Sequence, residues 1–356
     1  MRIAIVSDTW LPQVNGVVRT LDVVYRELLD MGHAVEVIGP DRFRTWPCPT
    51  YPEIRLALLP ARRLARLLGA FAPEAIHIAT EGPLGHAARR FCLRHGLPFT
   101  TAYRTRFPQY VRARLLFPTS WTYALLRCFH APSAAVMVAT DSIATELMAH
   151  GFRNIRPWTR GVDLALFHPR PPGATTQDRD RPIWLYAGRI AIEKNIQAFL
   201  DLDLPGRKWV AGSGPLLPKL VAHHPDVRFF GHRRDEELAA LYRTADVFVF
   251  PSRTDTFGLV LLEALASGLP VAAYPVPGPR DVIGDAPVGA MHDDLRQAAL
   301  RALDVDRAAC RAHALRFSWR RTTEMLLANL APFTAPDRLW QRSAAQSDGS
   351  PAASQA

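Results

Sequence analysis

Lysine is almost missing from this chain: only Lys194, Lys208 and Lys219 stand among its 43 basic residues, and arginine supplies the rest. Cysteine is scarce as well. Cys48, Cys92, Cys128 and Cys310 lie far apart with no Cys-x-x-Cys, which argues against a disulfide framework or a zinc site and leaves buried free thiols in a reducing cytosol as the expectation. No uninterrupted apolar run approaches the ~18 to 20 residues of a membrane-spanning helix. The opening Met1–Val6 is too short for a signal peptide and reads as a first strand. No Gly-x-Gly-x-x-Gly follows that strand, which counts against a dinucleotide-dependent oxidoreductase. Acids are absent between Glu81 and Asp141, where eight arginines stand: Arg89, Arg90, Arg94, Arg104, Arg106, Arg112, Arg114 and Arg127.

What is present is a core. The 356 residues are 48% hydrophobic, too apolar for a disordered chain and long enough for two domains. The formal net charge of +10 is unevenly spread: residues 1–165 carry 20 arginines against 12 acids, and residues 166–356 carry 23 basic residues against 21 acidic ones. Such a field attracts phosphates or an anionic surface. Nucleic acid is disfavoured as a partner, since no recognisable binding module accompanies the charge.

Short apolar runs alternate with amphipathic, helix-length stretches in both halves. They are Ile3–Val6, Val35–Ile38, Ala75–Ala79, Phe99–Ala102 and Ala135–Ala139, then Ile183–Ala187, Trp209–Ala211, Val227–Phe230, Val247–Phe250 and Val271–Tyr274. Nearly continuous apolar strands of this length suit parallel sheets covered on both faces. The expected class is α/β, with two doubly wound domains over 1–167 and 183–316 joined by a proline-rich linker over 168–182. A helix over 317–331 is expected to return to the first domain, and a disordered tail to occupy 341–356.

Ligands of doubly wound sheets sit beyond the carboxyl ends of the strands, so the residues following each strand carry the functional reading. After Ile183–Ala187 come Gly188, Arg189 and Lys194, which place two cations beside a helix start as a receptor for a diphosphate. After Val247–Phe250 come Asp255 and Glu263, eight positions apart; carboxylates accept hydrogen bonds from vicinal diols, so one suits a hexose edge and the other a ribose. The alternative makes Asp255 a helix cap and Glu263 a solvated residue. Asn15-Gly16, after the first strand, offers an anion nest or simply a turn.

These segments together resemble the retaining glycosyltransferases of family 4, which have the GT-B fold: two Rossmann-like domains facing across a cleft. The resemblance spans residues 1–330 and rests on Ser7–Val18, Ala79–Gly85, Phe99–Tyr110, Arg160–Asp163, Gly188–Asn195, Gly212–Pro215, Gly231–His232 and Phe250–Val271, in family order. The nearest branch holds bacterial GDP-mannose-dependent mannosyltransferases and lipid glycosyltransferases. The resemblance implies that Gly16, Arg189 and Lys194 bind the diphosphate of a nucleotide-sugar donor, Glu263 its ribose and Asp255 the transferred sugar. It further implies that Thr256, Phe257, Gly258 and Leu259 meet sugar and phosphate through backbone N–H groups, and that Gly231 lies near the nucleobase. Many relatives have His where this chain has Arg104. Arginine is no base near neutral pH but stabilises oxyanion charge, so Arg104 is counted with Asp255 among the catalytic residues.

The implied activity is a cytoplasmic, metal-independent transfer of a hexose, mannose first, from GDP-mannose or a UDP-hexose to a hydroxyl of a lipid or lipid-linked acceptor. No cofactor or metal site is expected; Asp178-Arg179-Asp180 falls in the linker and reads as solvated charge. The alternatives are a non-catalytic descendant that binds a nucleotide-sugar and an epimerase of the same fold. Two basic-apolar patches suit a peripheral site on the inner membrane face. Leu64, Leu67, Leu68 and Phe71 lie beside Arg62, Arg63 and Arg66, although this helix equally suits a core-facing role; Arg112, Arg114, Leu115, Leu116, Phe117 and Trp121 form the second patch.

Overall fold

A computed structural model describes residues 1–13, 15–48, 51–104, 119–171, 182–255, 257–336 and 339–341, the side chains of 51–54 excepted. The chain divides into two compact units. Among the described residues, one takes in 1–104, 119–159 and 322–341, and the other 160–321.

The first unit is built on a parallel sheet of β1 (Arg2–Val6), β2 (Ala34–Ile38), β5 (Ala75–Ile78), β6 (Thr100–Ala102), β7 (Ala135–Val138) and β8 (Ile155–Pro157), in the order β2-β1-β5-β6-β7-β8. Successive side chains of β1 enter opposite faces, as strand geometry requires. Ala4 and Val6 pack with Leu64 and Leu68 of α2 (Ala61–Phe71) and Leu84 and Ala88 of α3 (Pro83–His95). Ile3 and Ile5 pack with Leu21, Val24 and Leu28 of α1 (Gly16–Asp30) and with Leu326 of the last long helix, Trp319–Asn329. Two further helices, α4 (Thr119–His130) and α5 (Asp141–Ala149), flank β7 in sequence. A short antiparallel hairpin, β3 (Thr45–Cys48) with β4 (Tyr51–Ala57), stands apart from the sheet.

The second unit repeats the plan with β9 (Ile183–Ala187), β10 (Arg207–Ala211), β11 (Arg228–Gly231), β12 (Val247–Phe250), β13 (Val271–Ala273) and β14 (Gly289–Met291), ordered β11-β10-β9-β12-β13-β14. Its helices include α6 (Ile196–Leu200), α7 (Leu217–His223), α8 (Asp235–Thr244) and α9 (Leu259–Ala266). Trp184, Tyr186, Val210, Val247 and Val249 build the core under one helical layer with Phe199 of α6. The segment leading out of this unit is tied down by arginines: Arg311 donates to the carbonyls of Phe167, Ala266 and Leu164, and Arg170 lies 3.7 Å from Asp246.

Three expectations change. Leu64 and Leu68 are fully buried, with Leu67 and Phe71 packed against the same core, so the apolar face of α2 is internal, the core-facing alternative, while its arginines, with Ala61 and Ala70, face water. The cysteines are free, but only Cys92 and Cys310 are buried, while Cys48 is half-buried and Cys128 exposed. The hairpin and the edge strands β8 and β14 add to the expected set. The tail beyond Gln341, the linker residues 172–181 with Asp178 and Asp180, and Arg106, Arg112, Arg114, Leu115, Leu116 and Phe117 lie outside the described residues.

Candidate active site

In the second unit, β9, β10 and β11 run outward to one side, while β12, β13 and β14 run to the other. The strand order therefore reverses between β9 and β12, and the crevice beyond their carboxyl ends is where a doubly wound sheet binds its ligand. The loop Gly188–Asn195 leaves β9 there, and the loop Pro251–Gly258 leaves β12.

Three side-chain contacts stitch these two loops together. Lys194 Nζ donates to Asp255 Oδ1 as a close ion pair. The Thr254 hydroxyl donates to the Glu193 carbonyl at 3.1 Å, and Asn195 Nδ2 donates to the Pro251 carbonyl at 3.1 Å. The other carboxylate oxygen of Asp255, Oδ2, is buried with no hydrogen-bond partner among the described residues. A buried acceptor left without a donor is uncommon in folded proteins, and here it lies at the ligand-binding end of the sheet.

Arg189 is positioned through its backbone: Tyr186, projecting from β9, donates its hydroxyl to the Arg189 carbonyl at 2.7 Å. Burial, with the carboxylates of Asp255 and Glu193 adding to it, pushes the Tyr186 phenol upward, so it remains a donor. Beyond the strands the backbone ladder continues loop to loop. Gly188 N–H donates to Ala211 O at 3.0 Å, Ile190 N–H to Ser213 O at 2.9 Å, and Gly212 N–H to Gly231 O at 2.8 Å. The approach at Gly212 is so close that a Cβ there would stand 1.9 Å from the Gly188 carbonyl oxygen. Gly231 ends β11, and a Cβ added there would meet open space.

Asp255 stands before α9, not in it; Gly258 is the N-cap, and no side chain caps this helix. Its first N–H groups, at Leu259 and Val260, thus face the same end of the sheet as Lys194. Phe257 is buried in side chain, leaving its backbone as the part that can meet a ligand. Thr256 lies outside the described residues. Glu263 is only 2% exposed and its Oε2 accepts from the Tyr242 hydroxyl at 3.1 Å. It is therefore not a solvated helix residue, the alternative left open by the sequence. Tyr242, which no sequence pattern singled out, packs edge-on against Phe167 and beside Phe248.

Gly16 and Arg104 belong to the first unit. Gly16 opens α1, but Asn15 Oδ1 already accepts from Val17 and Val18 N–H at 3.0 Å each. Those two N–H groups of the expected anion nest are thus engaged by the cap itself, which is what Asn does at a helix start. Arg104 follows β6, is buried, and lays its guanidinium over the Trp158 ring at 4.4 Å. Trp158 is pinned in turn by its indole N–H on the Thr322 carbonyl at 3.0 Å. A planar cation stacked on an indole is held in one orientation. Asp163, in the matched segment Arg160–Asp163, has a local role: its Oδ1 accepts from the N–H groups of Ala165 and Leu166. Burial pushes Arg160 down to about 10.

At the other switch point, between β1 and β5, Asp8 fills the N-terminus of α3. Its carboxylate accepts from Leu84 N–H at 2.7 Å, Gly85 N–H at 3.2 Å and the Thr80 hydroxyl at 2.8 Å. Burial raises its pKa above the ordinary carboxylate value, against the lowering effect of these hydrogen bonds. Asp8 falls within the matched segment Ser7–Val18 but has no role from the sequence, although its place directly after β1 could have suggested one.

Two Rossmann-like units, the second with the Lys194–Asp255 pair at its switch point, define a protein of the GT-B fold. The profile described as Glycosyltransferase Family 4 matches residues 14–166, and that described as Glycosyl transferases group 1 matches residues 181–304. The chain is 32% identical over 307 residues to a GDP-mannose-dependent alpha-mannosyltransferase of Mycobacterium tuberculosis, covering 80% of this chain and 81% of the relative. It is 29% identical over 349 residues to the alpha-monoglucosyldiacylglycerol synthase of Streptococcus pneumoniae, covering 85% and 78%. Among solved structures, the sucrose-phosphate synthase of Thermosynechococcus elongatus superposes with a TM-score of 0.74 at 20% identity, over 92% of this chain and 97% of that one. The chain belongs to glycosyltransferase family 4 and is a glycosyltransferase.

Proposed function

We propose that the protein transfers a hexose, with retained anomeric configuration, from a nucleotide-sugar to a hydroxyl of a lipid or lipid-linked acceptor. GDP-mannose is the favoured donor, after the mannosyltransferase relatives, and a UDP-hexose is the next. The observation that carries this reading is the Lys194–Asp255 pair at the β9/β12 switch point, beside an α9 terminus that no side chain caps. Lys194 and Arg189 take the diphosphate; their charge stabilises the leaving phosphate as the bond to the anomeric carbon breaks. Asp255 takes hydroxyls of the transferred sugar through the oxygen that has no partner, Glu263 takes the ribose, and the backbone of Phe257–Leu259 meets sugar and phosphate. Gly231 lies by the base. From the first unit, Gly16 contributes backbone N–H and Arg104 a fixed positive charge.

The acceptor reading draws on the diacylglycerol-directed relative and on the surface of the first unit. Leu59, Trp46 and Leu58 are 95%, 64% and 51% exposed, beside the exposed Arg55, Arg62, Arg63 and Arg66. Exposed apolar side chains with exposed arginines close in sequence suit the interface of an anionic membrane, which supports a peripheral site on an inner leaflet. Trp121 and Leu125, one turn apart on α4, are a second exposed apolar pair.

A screen of radiolabelled nucleotide-sugars with diacylglycerol vesicles tests this. Mannose or another hexose should appear in the lipid phase in an acid-stable glycoside. A protein that consumes no donor, with or without acceptor, would overturn the reading.

A further inference from the structure

The carboxyl end of β5 carries a titratable pair that the donor-side loops do not use. Glu81 Oε1 lies 3.3 Å from Nε2 of His130, the last residue of α4; the His130 side chain is 1% exposed and that of Glu81 25%. Glu81 has no other hydrogen-bond or ion-pair partner among the described residues. It stands where the strand order of the first unit reverses, between β1 and β5, the place where such a sheet receives a ligand.

The groups behind the ring determine its tautomer. Ser133 donates its hydroxyl to the His130 carbonyl at 2.7 Å. A carbonyl only accepts, so the Ser133 proton is committed there. The Thr101 hydroxyl directs its proton to Ser133 Oγ at 3.2 Å and the Ala135 carbonyl at 3.4 Å, which leaves Thr101 Oγ1 to accept from His130 Nδ1 at 2.9 Å. With hydrogen on Nδ1, a neutral ring turns the bare lone pair of Nε2 toward Glu81. Nε2 is buried and has no aligned partner of its own, so a lone pair against a carboxylate would repel. The contact is favourable only with one proton between them.

The surrounding charges are committed elsewhere. From α3, Arg89 donates to the carbonyls of Phe129 and Cys128, and His86 meets the Phe129 ring edge-on. From the end of β6, Tyr103 lies 6.4 Å from the His130 ring and Arg104 stacks on Trp158. From β5, His77 is engaged with Thr100 at 3.0 Å. Asp8, after β1, is on α3 and Thr80, and Arg127 of α4 donates to His150 O. Phe152 packs against the ring as an apolar wall.

We propose that Glu81 is the acceptor-binding carboxylate of the first unit, receiving a hydroxyl of a polyol, with His130, held behind it through one shared proton, as the positioning residue. This rests on the glycosyltransferase reading above. The polyol reaches the site either in solution or as a lipid headgroup, so glycerol and diacylglycerol in phosphatidylglycerol vesicles are the two probes.

Two measurements test it. In nitrogen-15 spectra of selectively histidine-labelled protein, His130 should carry hydrogen on Nδ1, and Glu81→Gln should shift the Nε2 resonance as the contact with the carboxylate is lost. An Nε2–H tautomer, or a ring unaffected by Glu81→Gln, overturns the proposal. In steady-state assays Glu81→Gln should raise KM for one of the two acceptors about tenfold or more, while GDP binding matches the wild type. The acceptor that responds identifies the source, and an unchanged KM for both overturns the proposal. His130→Gln should raise KM for that acceptor while leaving kcat near the wild-type value; if it does not fold, Glu81→Gln and the wild-type spectra still decide. A wild type that binds no GDP would sink the donor reading instead, and the spectra would still judge the pair.

Discussion

Lys194 and Asp255 are partners across 61 residues of sequence, an ammonium on a carboxylate that joins the loop after β9 to the loop after β12. The pairing sets two candidate ligand groups against each other before any donor arrives. A diphosphate must draw Lys194 away from Asp255, and releasing Asp255 frees both its oxygens for a sugar. Lys194→Ala should therefore weaken GDP binding about 10- to 100-fold, the worth of a charge-assisted contact. Asp255→Asn should leave GDP binding equal or tighter while turnover falls about 100-fold through lost sugar positioning. Calorimetry with GDP and initial rates separate the two; a matching loss of GDP affinity in Asp255→Asn would refute the competition.

Glu263 is a buried carboxylate of α9, reached by the Tyr242 hydroxyl. If it serves a ribose, Glu263→Ala should weaken guanosine and GDP by the same factor, about tenfold, and leave pyrophosphate binding alone. Tyr242→Phe should lower stability by about 1 kcal/mol, read by urea unfolding. A Glu263→Ala protein that loses pyrophosphate affinity would place this side chain on the wrong part of the donor.

Gly212 and Gly231 separate steric from conformational need. A Cβ at Gly212 would meet the Gly188 carbonyl, and its φ is +150°; Gly212→Ala should cost about 3 kcal/mol or more. Gly231 has φ +68° but open space, so Gly231→Ala should cost about 1 to 2 kcal/mol. Thermal unfolding ranks them, and equal losses would show that backbone conformation alone governs both.

Asp8 gives a pH prediction of definite sign. Its folded pKa is raised above the ordinary 3.8, so from about that pH upward the folded state holds a proton that the unfolded chain has released. Stability from this group is therefore largest in acid and falls as pH rises through the window. Wild type compared with Asp8→Asn should be relatively more stable at pH near 4 than at pH near 7. A difference that grows with pH would mean that the three hydrogen bonds outweigh burial. Asp8→Ala, which leaves Leu84 and Gly85 N–H without their carboxylate, should cost about 1 to 3 kcal/mol.

The exposed apolar residues of the hairpin and the α2 approach should act with the arginines beside them. Trp46→Ser and Leu59→Ser should each weaken binding to phosphatidylglycerol vesicles about tenfold. Raised salt should release the wild type, since exposed charges are screened. Cosedimentation reads both. Binding that survives the double substitution at high salt would remove this surface from the membrane reading.

Strands β1, β9 and β12 were readable because a parallel strand covered on both faces must be apolar throughout. The edge strands β8 and β14 were not, because they are three residues long, carry proline or glycine, and need no unbroken apolar run; nor was the hairpin, which stands apart from the sheet and carries a proline in each strand. Cations after one strand and carboxylates after another marked Arg189, Lys194, Asp255 and Glu263 by position alone. The same reading missed Tyr242 under Glu263, Trp158 under Arg104 and the occupied cap at Asn15, since each is a contact between residues distant in sequence or a choice between two local hydrogen bonds.

Apolar alternation and chain length by themselves determined that there would be two doubly wound units, because burial of such strands admits few other arrangements. Only the tertiary structure decided that Lys194 meets Asp255, that the apolar face of α2 turns inward, and that Arg104 lies flat on an indole. Those outcomes depend on where folded elements bring side chains within a few ångströms of one another, and hydropathy periods carry no such distances.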